Sequence, residues 1–190
     1  MPAITLVKGA NASVTHNIPT ATTITVGFSW DVVQSNGPAT EVVPCAIACG
    51  QDGLAVSSQH VVFFNQMLSP DEAVSYEPDG SLPGGDVEQI EVDLQRVPSN
   101  VMSIALILYV NPDLRQPGTF DSVRGCVVRI LDRAGSEVIR YPVEAADLGA
   151  TSAVVAGELY RRQNEWKFRA IGQGFAGGVA DVAHNFGFDL

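Results

Sequence analysis

Eight carboxylates and no lysine or arginine fall between Ser69 and Leu94, in the run S-P-D-E-A-V-S-Y-E-P-D-G-S-L-P-G-G-D-V-E-Q-I-E-V-D-L. They are Asp71, Glu72, Glu77, Asp79, Asp86, Glu88, Glu91 and Asp93. Carboxylate oxygens are what hard cations take, and calcium gathers roughly six to eight oxygens at once. The middle of the run, Glu77 to Gly85, holds Pro78, Gly80, Pro83, Gly84 and Gly85, which excludes helix and central strand. Glycines there let backbone carbonyls turn inward. The run ends in Ile90-Glu-Val-Asp-Leu94, apolar alternating with acidic as in a half-buried strand. A loop from Glu77 to Glu88 feeding a strand is therefore where a cation is expected, with Asp79, Gly80, Asp86 and Glu88 closest to it. Magnesium fits less well, because it demands near-octahedral geometry. The loop is not an EF-hand: counted from Asp79, the third and fifth positions are Ser81 and Pro83 and the twelfth is Ile90, which cannot ligate calcium. The site must draw on several loops.

Other residue types offer less chemistry. His16, His60 and His184 are far apart, and no Ser or Cys sits in a nucleophile-elbow pattern. Cys45 and Cys49 lie in the apolar run P-C-A-I-A-C without further ligands nearby, so buried, reduced thiols are expected rather than zinc. Gly172-Gln-Gly174-Phe-Ala-Gly177 matches the dinucleotide pattern G-x-G-x-x-G, but no second strand and no acidic residue about 20 positions on follow it. Glycines making a tight strand-to-helix turn explain it better. The chain is expected not to be an enzyme.

The net charge of −10 argues against nucleic acid, whose phosphates call for Lys and Arg. That charge is unevenly placed. Between Lys8 and Arg96 there is no basic residue, and the span carries a formal −11. From Arg96 onward ten basic residues balance ten acidic ones. Solubility alone would account for such a charge; the sharper reading is that bound cations balance the acidic half. The start, M-P-A-I-T-L-V-K, has no signal-peptide pattern, and no apolar run approaches the roughly 20 residues of a membrane span. The protein is therefore expected to be cytoplasmic and not transmembrane, which suits three cysteines without a disulfide framework.

The elements that must hold these groups are mostly strands. Ile4 to Lys8 and Ala12 to His16 read as extended, and Thr22 to Trp30 is β-branched and alternating. Val42 to Cys49, Val61 to Asn65, Ile90 to Leu94, Val123 to Leu131, Glu137 to Val143, Ala153 to Tyr160 and Trp166 to Ile171 follow. Val101 to Val110 has no polar face and is expected at the centre of a sheet. Ala176 to Asn185 is the one helical pattern, with Val179, Val182, Ala183 and Phe186 on one face. Nine or ten strands in one chain predict a single domain over 1–190. It should be an all-β sandwich of two antiparallel sheets with one short C-terminal helix and Trp30, Trp166 and Phe168 in its core.

Gly157-Glu-Leu-Tyr-Arg-Arg-Gln-Asn-Glu-Trp-Lys-Phe-Arg-Ala-Ile-Gly-Gln-Gly174 closely resembles the C-terminal signature of the TerD family of tellurite-resistance and stress proteins. Val26-Gly-Phe-Ser-Trp-Asp31, Phe64-Asn-Gln-Met-Leu-Ser-Pro-Asp71, Ile90 to Leu94 with Val97-Pro98, and Arg140-Tyr-Pro extend the likeness over nearly the whole chain. The resemblance implies a two-sheet β-sandwich, calcium bound in acidic loops, and a place in a cytoplasmic stress system. It adds Asp31 and Glu41 to Asp79, Asp86 and Glu88 as metal residues. Two positions depart from the family pattern: Val43 and Val87 stand where it usually carries carboxylates. The expected function is a non-enzymatic stress-response binding module, calcium-responsive through its acidic loops, with other proteins of a stress-response system as partners. The alternative is a metal-free protein–protein scaffold on the same frame.

Overall fold

The structure is a computed structural model and describes residues 2–19, 22–33, 40–78, 82–113 and 118–189. Its strands are β1 (Ile4–Thr5), β2 (Asn11–Ser13), β3 (Thr23–Val32), β4 (Val42–Cys49), β5 (Val61–Val62), β6 (Val74–Glu77), β7 (Glu88–Asp93), β8 (Ser103–Val110), β9 (Val123–Leu131), β10 (Glu137–Val143), β11 (Ala153–Arg162) and β12 (Glu165–Phe175). They form two six-stranded sheets. Sheet one runs β1-β10-β9-β3-β7-β6 and sheet two runs β2-β12-β11-β8-β4-β5. Every neighbouring pair is antiparallel except β1 on β10, which is parallel. The all-β sandwich expected from the sequence is the fold observed.

The sandwich core is where the inner faces meet. Ile24, Val26 and Phe28 of β3, Ile90 and Val92 of β7 and Val128 and Ile130 of β9 pack in one cluster with Ile104, Leu106 and Leu108 of β8 and Phe168 of β12. Trp166 and Phe168 are buried, two residues apart on one face of β12, while Glu165 and Arg169 face solvent. Trp30 lies at the rim, half-buried against this core. Strand β8 is central as expected, between β11 and β4.

Strands β4 and β8 are apolar throughout because sheet two is covered on both faces. On its outer face Cys45, Ile47, Ile107 and Tyr109 join a second cluster with Val182 of the C-terminal helix α3 (Gly178–Asn185). All three cysteines are free and buried.

Three differences from the sequence pattern have simple causes. Ala12 to His16 is not extended throughout: Ser13 caps a single helical turn, α1 (Val14–Asn17), its hydroxyl accepting from the His16 N–H at 3.0 Å. A second single turn, α2, covers Ala145–Leu148, so α3 is not the only helix. One turn is too short to show a 3.6-residue period. The third is β6, inside the acidic run. Val74 and Tyr76 point in, Ser75 and Glu77 are half-buried, and the strand sits at the edge of sheet one, where Pro70 and Pro78 on either side can be accommodated.

The dinucleotide-like glycines are also placed differently. Gly172 and Gly174 belong to β12, and only Gly177 lies in the turn before α3. A Cβ at 172 would come 2.6 Å from the Tyr141 hydroxyl, and one at 174 would come 2.6 Å from Thr151 Cγ2. These glycines let the strand pass close over its neighbours.

Candidate metal centre

The acidic residues divide into three groups. The first is organised by Asp86, at the end of a loop whose Gly84 and Gly85 both have positive φ. Its side chain is fully buried. Arg129, from β9, reaches Asp86 Oδ1 through Nε at 2.8 Å and through Nη2 at 2.6 Å. The Ser29 hydroxyl donates to the same oxygen at 3.2 Å, and Gln89 Nε2 donates to Oδ2 at 3.4 Å. Arg129 also donates to the Gly84 carbonyl at 2.8 Å and to Glu137 at 2.9 Å. Glu137 in turn receives Arg140 Nε at 2.8 Å. The result is a chain, Asp86–Arg129–Glu137–Arg140, across the outer face of sheet one. Arg129 and Arg140 stand directly opposite each other on β9 and β10. That is a repulsive pair, and Glu137 is the anion that serves both. Hydrogen bonding from Arg140, with Arg129 adding to it against the effect of burial, holds the Glu137 carboxyl below its usual value. For Arg129, burial pulls the ionisation down, and the hydrogen bonds to Glu137 and Asp86 outweigh it and raise it.

The second group faces a cleft of about 510 Å³ at the end of the sandwich. Glu41, just before β4, and Glu88, the first residue of β7, both line it, with Tyr76 of β6, Trp30 of β3, Thr40 and Pro78. Glu41 accepts from Asn111 Nδ2 at 2.8 Å. The Tyr76 phenol is pushed up, first by burial and then by the Glu88 carboxylate beside it. The third group is Asp31, which is exposed, lies 3.7 Å from Arg124, and lines a separate cleft with Trp30, Arg124 and Glu144.

The residues singled out by sequence are thus only partly together. Glu41 and Glu88 share one cleft. Asp86 is committed to Arg129, and Asp31 to the neighbourhood of Arg124. Asp79 and Gly80 lie outside the described residues, although Pro78, which precedes them, is on the rim of the Glu41–Glu88 cleft. Among the described residues no group of three or more His, Cys, Asp or Glu converges as a metal cage. Two carboxylates in one cleft fit part of a calcium shell and fall short of a complete one.

Sequence reasoning missed Arg129 and Glu137 altogether. The available signal was a lone arginine inside the apolar strand V-V-R-I-L, followed across a tight hairpin by a glutamate. A charge in such a strand is either on the solvent face or paired.

Comparison with known proteins agrees with this architecture. The TerD domain family matches residues 2–186. The tellurium resistance protein TerD of Serratia marcescens is 31% identical over 189 residues, covering 98% of each chain. General stress protein 16U of Bacillus subtilis (strain 168) is 31% identical over 192 residues, covering 98% of each. A crystal structure described as a homologue of telluride resistance protein (TerD) from Streptomyces coelicolor A3(2) superposes with a TM-score of 0.62 at 22% identity, covering 81% of this chain and 90% of that one. With its sandwich and nearly its whole length matched, the chain belongs to the TerD family.

Proposed function

We propose that this protein is a non-enzymatic stress-response binding module whose acidic cleft responds to calcium. The observation that carries this reading is the meeting of Glu41 and Glu88, from two distant segments, in one cleft beside Tyr76 and Trp30. The names borne by its relatives, tellurium resistance and general stress proteins, supply the stress context. Asp79 and Gly80 would complete the oxygen set. Bound calcium would bring positive charge to the two carboxylates that line this cleft. Asp86 acts differently. Held by Arg129, it fixes the far arm of the acidic loop to sheet one, so that Glu88 starts β7 in a defined place. A calcium-set cleft would present a surface to other proteins of a stress-response system. We place the protein in the cytoplasm. Among the described residues no helix is long and apolar enough to cross a membrane, and the net charge of −10 weighs against nucleic acid.

A metal-free scaffold is the second reading. It is favoured by Arg129, which already gives Asp86 and Glu137 a fixed cation, and by Val43 and Val87. Calcium titration calorimetry on chelator-treated protein, with a thermal melt, separates the two. The first reading expects a binding heat and a higher midpoint with calcium, both lost in a Glu41→Gln/Glu88→Gln variant. No heat and no shift in wild type would leave the scaffold reading. Binding that survives the double substitution would put the site elsewhere.

A further inference from the structure

The cover over the outer face of sheet two is incomplete. Between α3 and strands β4 and β8 lies a cavity of about 200 Å³, walled by Cys45, Ile47, Ile107, Val179, Val182 and Phe188. An apolar cavity of about 150 Å³ holds benzene, so this one has room for a ring with a short substituent.

Its polar groups are few. Tyr109 lines the cavity and is 6% exposed, and its hydroxyl makes no hydrogen bond among the described residues. A ligand oxygen in the cavity would give this hydroxyl a partner. Burial first, then the nearby Cys45, Glu41 and Asp113, push the phenol's ionisation up, so it stays a donor at neutral pH. Asn111 also lines the cavity, but its side chain is engaged: Nδ2 donates to Glu41 at 2.8 Å and Oδ1 accepts from the Asp113 N–H at 3.1 Å. The Asp113 and Glu41 carboxylates oppose an anion here. The walls therefore select for an apolar body, one acceptor oxygen and no negative charge.

We propose that this cavity binds a small uncharged aromatic molecule bearing one hydrogen-bond acceptor, an alcohol or a ketone, with its ring between α3 and β8 and its oxygen on the Tyr109 hydroxyl. The site is separate from the Glu41–Glu88 cleft, although Phe64 lines both. It requires no metal.

Saturation-transfer NMR on the full chain with benzyl alcohol, toluene and benzoate tests this. Benzyl alcohol should bind, toluene roughly fivefold more weakly for want of one net hydrogen bond, and benzoate more weakly than either. Tyr109→Phe should bring benzyl alcohol down to the level of toluene and leave toluene unchanged; a hydroxyl that only stabilised the fold would alter both. Val182→Phe should fill the cavity and abolish binding of all three. If circular dichroism shows that variant unfolded, Val179→Trp takes its place, since Val179 is only half-buried and a larger side chain there plugs the cavity from its wall. No transfer to benzyl alcohol in wild type, unchanged binding in a folded plugged variant, benzoate as tight as benzyl alcohol, or toluene as tight as benzyl alcohol would each overturn the proposal.

Discussion

Asp86 occupies the space that Gly27 leaves open: a Cβ at position 27 would come within 2.2 Å of Asp86 Oδ2. The glycine in Val26-Gly-Phe28 is therefore a socket for a buried carboxylate. Gly27→Ala should displace Asp86 from Arg129 and destabilise by about 1–3 kcal/mol, the usual range for overpacking. Gly125→Ala on the adjacent strand β9 is the control, because a Cβ there meets nothing within 4 Å. Urea unfolding of both variants checks the contrast; equal midpoints would remove the socket.

Asp86 and Glu88 are two residues apart and should fail in different ways. Asp86→Asn leaves Arg129, whose side chain is only 16% exposed, short of one charge, and breaking a buried pair costs about 3–5 kcal/mol. The lower end is expected, since Glu137 and the Gly84 carbonyl remain. Calcium binding should survive. Glu88→Gln should stay within about 1 kcal/mol of wild type in stability and lose calcium affinity. The reverse assignment of defects would exchange the roles given to the two residues.

The fold was legible because nine or ten strand-like runs follow one another with a single helical pattern; β4 and β8, apolar on both sides, agree with it, since they demand cover on both faces. The sequence also showed that α3 had an apolar stripe, and that stripe is the cover. The site was less legible. Asp86, Asp79 and Glu88 look alike in the run P-D-G-S-L-P-G-G-D-V-E, and nothing local separates a cleft ligand from a carboxylate sunk into the sheet. What separates them is Arg129, distant in sequence and brought beside Asp86 only through β3, which pairs with both β7 and β9. Burial of a charge depends on a partner that local patterning does not reveal.

Acid should act through Glu137. Its folded ionisation lies below the unfolded value, so the stabilisation is fully present above the unfolded pKa of about 4.3. It is lost as pH falls through the folded value. Glu137→Gln should flatten that part of the stability profile, measured by chemical unfolding between neutral pH and pH 3. An unchanged acid limb would show that the ion-pair chain contributes nothing there.

Alkali should act through the thiols. Burial pushes Cys45, Cys49 and Cys126 from 9.0 up to about 12. The sign is opposite to that of Glu137: stability is complete below the unfolded pKa and falls as pH rises from about 9 toward 12. Each thiol contributes a slope of at most about 1.4 kcal/mol per pH unit. The native protein should resist iodoacetamide at pH 8 and react at all three cysteines once unfolded. Prompt labelling of the folded protein would contradict this.

The parallel placement of β1 on β10 carries a consequence for how the chain assembles. Ile4 lies opposite Ile139, and Ala12 lies opposite Phe168. The first strands therefore close one side of both sheets, yet their partners emerge from the ribosome long after them. Contacts of such sequence separation make folding slow. Until β10 and β12 arrive, β1 and β2 wait as unpaired chain; without them, both sheets would present open strand edges on the same flank, the kind of surface from which intermolecular pairing begins.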